Sequence, residues 1–81
     1  MSTWFVYMLR CFDGSFYIGI SNNLEARLQK HNDGLGAKYT RSRRPVQLVW
    51  SESVASVSAA KKREAALKKL TREQKQELIG S

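Results

Sequence analysis

The sequence predicts an α+β protein in which helices flank a small three-stranded antiparallel sheet, in the order β-β-α-β-α-α. Two short runs rich in β-branched and aromatic residues, at 4–9 and 16–20, lie on either side of Asp13-Gly14, a sequence typical of a hairpin turn. A third such run follows at 46–50, and strong helix formers fill much of the remaining chain. This order favours an antiparallel sheet covered by helices over a helical bundle or a doubly wound sheet.

The length of the hairpin loop decides whether Tyr7 and Tyr17 lie on the same face of the sheet. Side chains alternate between the two faces along a strand, so the pairing of two strands fixes which residues share a face. A two-residue loop at 13–14 would place the two tyrosines on opposite faces. A three-residue loop at 12–14, with Gly14 in the left-handed region, would place both on one face. Each tyrosine is also explained as an ordinary half-buried aromatic residue of a strand.

A short helix is predicted after the hairpin. Asn22 or Asn23 can serve as its N-cap, leucines spaced four apart supply an apolar stripe, and an Asn-Asp-Gly sequence after residue 31 ends it. The segment 32–45 contains two glycines, one proline and four basic residues, and it has no sustained apolar period. We therefore expect an exposed basic loop there.

Helix propensity and capping residues predict two more helices. Residues 59–70 are strong helix formers almost throughout, and Ser56 or Ser58 can cap the segment. Thr71 and Gln74 have the spacing of a capping box, so a second, shorter helix begins there. The residues expected on the apolar face of the longer helix are Ala59, Ala66, Leu67 and Leu70.

The charge of the chain indicates a polyanionic partner. Its 81 residues are interpreted as one domain over 1–81, and 14 Lys and Arg against 7 Asp and Glu give a formal net charge of +7. Such an excess of positive charge favours nucleic acid as the partner. The basic residues expected to contact it are Lys38, Arg41, Arg43, Arg44, Lys61, Lys62, Lys68 and Lys69.

Cysteine usage and hydropathy exclude several other classes. Cys11 is the only cysteine, so neither an internal disulfide nor a site of paired zinc-binding cysteines can form, and we interpret the chain as cytoplasmic. The longest apolar run, 4–9, is too short for a signal peptide core or a membrane span. The sequence contains no phosphate-binding glycine loop, no HExxH motif and no Gly-x-Ser-x-Gly motif.

Three polar residues are candidates for phosphate chemistry. Arg27 and His31 are four residues apart on the first helix, so they lie on one face, where a guanidinium and an imidazole can bind a phosphate and exchange a proton. A solvated polar face explains the same spacing. Glu64 is the single acid in a basic run, where it can bind Mg²⁺ or form an ion pair with Lys68 one turn later.

Taken together, these residues resemble the GIY-YIG nuclease superfamily. The matching features are Val6-Tyr7 in the first strand, Tyr17-Ile18-Gly19 in the second, Arg27 and His31 on the next helix, and Glu64 after the third strand. The resemblance covers about residues 4–79 and is closest to the small stand-alone bacterial members, which resemble structure-specific repair endonucleases. The first motif here has Phe-Val-Tyr and therefore lacks its glycine.

The resemblance implies a metal-dependent endonuclease that hydrolyses phosphodiester bonds by attack of water. It implies that Tyr7 accepts a proton from that water, that Tyr17 orients the phosphate or the water, and that Arg27 stabilises the phosphorane. It further implies that His31 assists the general base. Glu64 would hold one divalent cation, Mg²⁺ or Mn²⁺.

Function on the sequence alone is therefore expected to be one of three kinds. The first is a nuclease acting on branched, flapped or damaged DNA in repair or recombination, with DNA favoured over RNA and a monomer expected. The second is a non-catalytic, basic nucleic-acid-binding module on the same scaffold. The third is a structural protein whose basic face contacts an acidic partner. In the first two cases a protein partner could direct the chain to its substrate.

Overall fold

A computed structural model of the chain describes residues 3–80. It confirms the predicted α+β class and the order of the predicted elements, and it adds one short helix within the basic segment. The elements are β1 (Trp4–Arg10), β2 (Phe16–Ser21), α1 (Leu24–Asn32), α2 (Lys38–Arg41), β3 (Gln47–Val54), α3 (Val57–Lys68) and α4 (Arg72–Ile79). No helix within residues 3–80 is long and apolar enough to cross a membrane.

The sheet is antiparallel, with β1 between β2 and β3. Cys11 N donates to Ser15 O at 2.8 Å, and Gly14 has a φ of 84°, so the hairpin has the three-residue loop. The register pairs Leu9 with Tyr17. Tyr17 therefore lies on the same face of the sheet as Leu9 and Tyr7, as the longer of the two loops predicts.

Apolar side chains cover both faces of the central strand. On one face, Val6 and Met8 pack with the buried Leu67 of α3, and both tryptophans pack at the margin of this cluster. On the other face, Tyr7 and Leu9 form a second cluster, against which leucines of α1 pack. A strand that is buried on both faces has a continuous apolar sequence, which explains the run at 4–9.

Side-chain caps fix where the helices begin. Asn23 caps α1 by accepting a hydrogen bond from Ala26 N, and Thr71 and Gln74 form the predicted capping box of α4. Ser56 caps α3, so that helix begins two residues earlier than predicted. Its inward residues are Ala60 and Leu67, whereas the predicted Ala66 is exposed.

Two further predictions need correction. The third strand extends to Val54 instead of ending at Trp50, because its second half continues to pair with β1 as far as Trp4. The segment 32–45 is not a fully exposed loop, because α2 forms within it and Thr40 is completely buried. The sequence pattern of this segment is dominated by exposed basic residues, so it did not predict α2, whose one buried side chain is that of Thr40.

Replacing Leu67 by alanine should test the importance of the packing between α3 and the sheet. Leu67 is 1% exposed, so its truncation should lower the free energy of unfolding by about 2–5 kcal/mol. Leu35→Ala is the matched control, since Leu35 is 72% exposed and should lose less than about 0.5 kcal/mol. Urea denaturation measures both, and equal losses would contradict this assignment of the core.

Candidate active site

A buried hydrogen bond joins the first strand to the first helix. The Tyr7 hydroxyl lies 3.0 Å from His31 Nε2, and these two residues are only 3% and 1% exposed. His31 is in the last turn of α1, and its imidazole points into the protein. The alternative explanation of the Arg27 and His31 spacing, a solvated polar face of the helix, is therefore wrong for His31.

Aromatic rings surround this hydrogen bond. The Tyr17 ring centroid lies 6.5 Å from that of Tyr7 and 5.2 Å from that of His31. On the outer side, the Tyr39 ring stacks on Tyr17 at 6.0 Å, and the guanidinium of Arg43 lies 4.0 Å from the centroid of the Tyr39 ring. The aromatic cluster therefore runs from the buried imidazole out to the surface.

Gly19 provides the space in which the Tyr7 ring lies. The two residues are partners in the β1–β2 register, and a Cβ atom on residue 19 would lie only 2.5 Å from the Tyr7 hydroxyl oxygen. Any side chain there would displace the ring. The glycine of the Tyr-Ile-Gly sequence is thus required because the phenol lies against its backbone.

A cation and an anion act on the Tyr7 hydroxyl from its surroundings. Burial raises the pKa of Tyr7 well above its usual range, and the neighbouring Tyr17 raises this pKa further. The Arg27 guanidinium lowers the pKa of Tyr7, and the Glu64 carboxylate raises it. Arg27 and Glu64 thus share one electrostatic environment with the tyrosine, and the phenol is protonated at neutral pH.

His31 is held in its neutral form. Burial lowers the pKa of His31 below its ordinary value, and the Arg27 guanidinium lowers it further. The second ring nitrogen, Nδ1, lies 2.8 Å from Thr40 Oγ1. Both nitrogens of a neutral imidazole therefore have partners, and the ring is able to accept a proton.

Glu64 lies on α3 and is partly buried. One of its carboxylate oxygens forms an ion pair with Lys68 at 3.3 Å, as the i,i+4 spacing predicts. Within the part of the chain that the structure describes, no group of three or more His, Cys, Asp or Glu residues is arranged to hold a metal ion. A single carboxylate fits Mg²⁺ or Mn²⁺, which take waters and substrate phosphates as further ligands, and does not fit a structural zinc ion.

The eight predicted nucleic-acid contacts differ in their surroundings. Arg43 binds the Asp13 carboxylate and the carbonyl of Tyr39, while Arg44 donates to the carbonyls of Arg41 and Asn32. These two arginines and Lys68 therefore have partners within the protein. The remaining five side chains are exposed: Lys38, Arg41, Lys61, Lys62 and Lys69.

A groove at the free edge of β2 adjoins the tyrosines. Its volume is about 210 Å³. The residues that line it are Phe16, Tyr17, Ile18, Tyr39, Lys68 and Lys75. Aromatic walls with lysines beside them suit one base and its phosphate better than a larger ligand, since drug-sized pockets hold roughly 300–1,000 Å³.

Sequence reasoning assigned no role to Gly36, Tyr39 or Thr40, although Lys38-Tyr39-Thr40 is part of the resemblance to the small bacterial members. A Cβ atom on Gly36 would overlap the His31 ring, so this glycine lets the backbone of the loop approach the imidazole. The signal for Gly36 in the sequence was the Gly-x-Gly spacing at 34–36. This spacing indicates that the backbone packs closely against another group, but it does not identify His31 as that group.

A comparison with family models identifies the class of protein. The model of the GIY-YIG catalytic domain matches residues 3–77, and the chain therefore belongs to the GIY-YIG family, which is a family of nucleases. Members typically use a divalent metal ion.

Within that family the chain is similar to UPF0213 proteins. One from Clostridium perfringens is 53% identical over 77 residues, which cover 95% of this chain and 83% of that protein. One from Staphylococcus epidermidis is 49% identical over 79 residues, which cover 98% and 96%. The predicted resemblance to small stand-alone bacterial members is confirmed.

Two solution NMR structures have the same fold. A UPF0213 protein from Bacillus halodurans has a TM-score of 0.60 and 40% identity, and the match covers 95% of this chain and 82% of that one. A protein from E. faecalis has a TM-score of 0.64 and 47% identity, with the same two coverages.

Gly19→Ala should lower stability through its clash with the Tyr7 ring. We expect a loss of about 1–3 kcal/mol in the free energy of unfolding, as for other overpacked positions. In a Tyr7→Leu background the same substitution should cost less, because no phenol then lies against residue 19. A double-mutant cycle by urea denaturation measures this coupling, and additive losses would contradict the contact.

Stability should fall as the pH falls below about 6.5. The unfolded chain protonates its histidine near pH 6.5, whereas the folded chain keeps the pKa of His31 lower, so unfolding takes up a proton in that range. The slope should reach at most roughly 1.4 kcal/mol per pH unit. His31 is the only histidine, so a His31→Gln variant should lose this pH dependence between pH 7.5 and 5 in urea denaturation. The same slope in both proteins would refute the assignment.

Proposed function

We propose that this chain is a metal-dependent endonuclease that hydrolyses phosphodiester bonds in DNA and prefers branched, flapped or damaged substrates. The observation that carries the proposal is the Tyr7–His31 hydrogen bond, with Tyr17 beside it and Arg27 and Glu64 acting on the same hydroxyl. Two phenols, an imidazole, a guanidinium and a carboxylate together supply what hydrolysis of a phosphodiester requires. It needs a proton acceptor for water, and cationic stabilisation of the phosphorane.

The proton acceptor in this proposal is the Tyr7–His31 pair. A phenol with a raised pKa is a poor acid, and it cannot act as a base unless its own proton leaves. As the attacking water gives a proton to the Tyr7 oxygen, the Tyr7 proton passes to the neutral His31 at 3.0 Å. The pair thus accepts one proton in total, and His31 ends the step as a cation.

Arg27 and Tyr17 act on the phosphate. Arg27 lies on α1 and is partly buried. Within residues 3–80 it forms no ion pair with an acidic side chain, so its N–H donors are free to bind phosphate oxygens. Its charge would stabilise the phosphorane. Tyr17, at the surface side of Tyr7, would orient the phosphate or the attacking water.

Glu64 would hold one Mg²⁺ or Mn²⁺ ion. When bound, such an ion stabilises developing charge on the phosphate oxygens and the leaving group. Lys68 now neutralises the Glu64 carboxylate, so metal binding would require the lysine to turn away. Lys68 would then be available to contact the nucleic-acid backbone.

The substrate preference is supported by the groove at the edge of β2. A duplex keeps its bases stacked, whereas a flap, a junction or a damaged site offers an unpaired base that can enter an aromatic groove. The exposed basic residues would bind the flanking phosphates without reading the sequence. We further propose that the chain acts as a monomeric single domain in the cytoplasm and that a protein partner could direct it to its substrate.

The ion pair between Glu64 and Lys68 favours a second candidate function, nucleic-acid binding without cleavage. The ion pair of Glu64 with Lys68 already satisfies the carboxylate without a metal. On that ground the chain could bind nucleic acid through its basic surface and have no nuclease activity.

Cleavage assays with carboxamide variants should separate the two functions. Labelled duplex, single-stranded, flap and four-way-junction DNA are incubated with Mg²⁺, Mn²⁺ or EDTA, and the products are resolved on a denaturing gel. We expect the wild type to cut the flap or the junction faster than the duplex. Glu64→Gln should lose at least about 100-fold in rate, because metal catalysis is worth several kcal/mol.

The matched control is Glu77→Gln, which makes the same change in net charge at an exposed position of α4. It should bind and cut as the wild type does. DNA binding by all three proteins without any cleavage would favour the non-catalytic module. Equal cutting of every substrate would leave the nuclease standing and contradict its structure specificity.

A further inference from the structure

Thr40 is a buried residue that the proposed mechanism does not yet use. It lies on α2, is 0% exposed, and contacts three polar atoms through one hydroxyl group. Its Oγ1 atom lies 2.8 Å from His31 Nδ1, 3.1 Å from the carbonyl oxygen of Ala37 and 3.4 Å from the nitrogen of Ala37. A hydroxyl has one proton to donate and two lone pairs that accept, so it can satisfy all three contacts in one way only.

Counting protons gives that arrangement. The Ala37 carbonyl has no proton and can only accept, and it accepts from the Thr40 hydroxyl as well as from Arg41 N at 3.1 Å. The Ala37 N–H can only donate, and it takes one lone pair of Oγ1. The second lone pair therefore accepts from His31, which requires the proton to be on Nδ1.

The opposite tautomer removes one hydrogen bond from this network. If Nδ1 carried no proton, the Thr40 hydroxyl would have to donate to it. Two oxygens, Thr40 Oγ1 and Ala37 O, would then face each other at 3.1 Å with no proton between them, and the Ala37 carbonyl would keep only its hydrogen bond from Arg41 N. His31 is 1% exposed, so bulk water has little access to replace the lost hydrogen bond.

From this geometry we propose that Thr40 is a positioning residue, which fixes His31 as the Nδ1–H tautomer so that Nε2 accepts the proton of the Tyr7 hydroxyl. The tautomer determines the direction of the Tyr7–His31 hydrogen bond. With Nε2 bare, Tyr7 is the donor, and its oxygen is left with lone pairs for an incoming proton. With Nε2 protonated, Tyr7 would be the acceptor, and His31 could not take its proton.

The loop before α2 supports this role. Gly36 lies against the His31 ring in space that a Cβ atom would fill, so the backbone closes over the imidazole on the side of Nδ1. Thr40 follows within the same segment. Loop and helix together hold the hydroxyl at the one nitrogen that Tyr7 does not contact.

NMR of the imidazole nitrogens tests the tautomer directly. The chain contains a single histidine, so the ¹⁵N signals of a tag-free, ¹⁵N-labelled sample at pH 7.5 in EDTA belong to His31 without further assignment. We expect a protonated, pyrrole-type Nδ1 and an unprotonated, pyridine-type Nε2. A protonated Nε2 in the wild type would overturn the proposal.

Substitution at residue 40 tests whether the hydroxyl is the cause. Thr40→Val keeps the shape and removes the hydroxyl, so the two nitrogen shifts should move toward each other as both tautomers become populated. Thr40→Ser should keep the wild-type pattern, and Thr3→Val is the matched control at an exposed position. Wild-type shifts in a folded Thr40→Val protein would overturn the proposal. If that variant does not fold, the Thr40→Ser and wild-type spectra still decide the tautomer.

The catalytic consequence rests on the proposed nuclease function and is measured separately. Thr40→Val should lower kcat about 10- to 100-fold with little change in KM, and Thr40→Ser should restore most of it. The spectra need no substrate and no metal. An Nδ1–H tautomer in a wild-type protein that cuts no DNA would support the role of Thr40 and refute the nuclease. A protonated Nε2 in a wild-type protein that cuts DNA would support the nuclease and refute the role of Thr40.

Discussion

The hydrogen bond between the Tyr7 hydroxyl and His31 Nε2 is the contact around which the strands and helices of the candidate site are arranged. Two polar groups from a strand and a helix are buried together, and each would destabilise the fold if it lacked a partner. The tyrosine needs Gly19 so that its ring can lie against β2, and the histidine needs Thr40 for its second nitrogen. One bond thus fixes how β1, β2, α1 and α2 meet.

Catalytic and structural explanations of Tyr7 are compatible in this protein. The residue is part of the buried cluster with Leu9, Cys11 and Val46, and its hydroxyl reaches the candidate active site. A chain of 81 residues has little surface to bury, so a side chain at the candidate active site also contributes to the hydrophobic core. Variants at such positions need a stability measurement beside every activity measurement.

The net charge of +7 is not spread evenly over independent binding residues. Arg43 and Arg44 hold backbone carbonyls and so stabilise the segment that positions Thr40. Lys68 neutralises Glu64. Counting basic residues therefore overestimates how many are free for phosphate contacts, although the long-range attraction for a polyanion depends on all of them.

The amino-acid sequence by itself determined the fold class, the hairpin and the order of the elements, because these follow from local alternation, turn residues and helix caps. It also brought forward Tyr7, Tyr17, Arg27, His31 and Glu64 through a family resemblance, although their proposed roles stay predictions. Only the tertiary structure decided that the imidazole points inward, that α2 forms inside a basic segment and that α3 turns Ala60 toward the sheet. Each of these depends on contacts between residues far apart in the chain, such as the hydrogen bond over 24 positions from Tyr7 to His31, and no local pattern records such a contact.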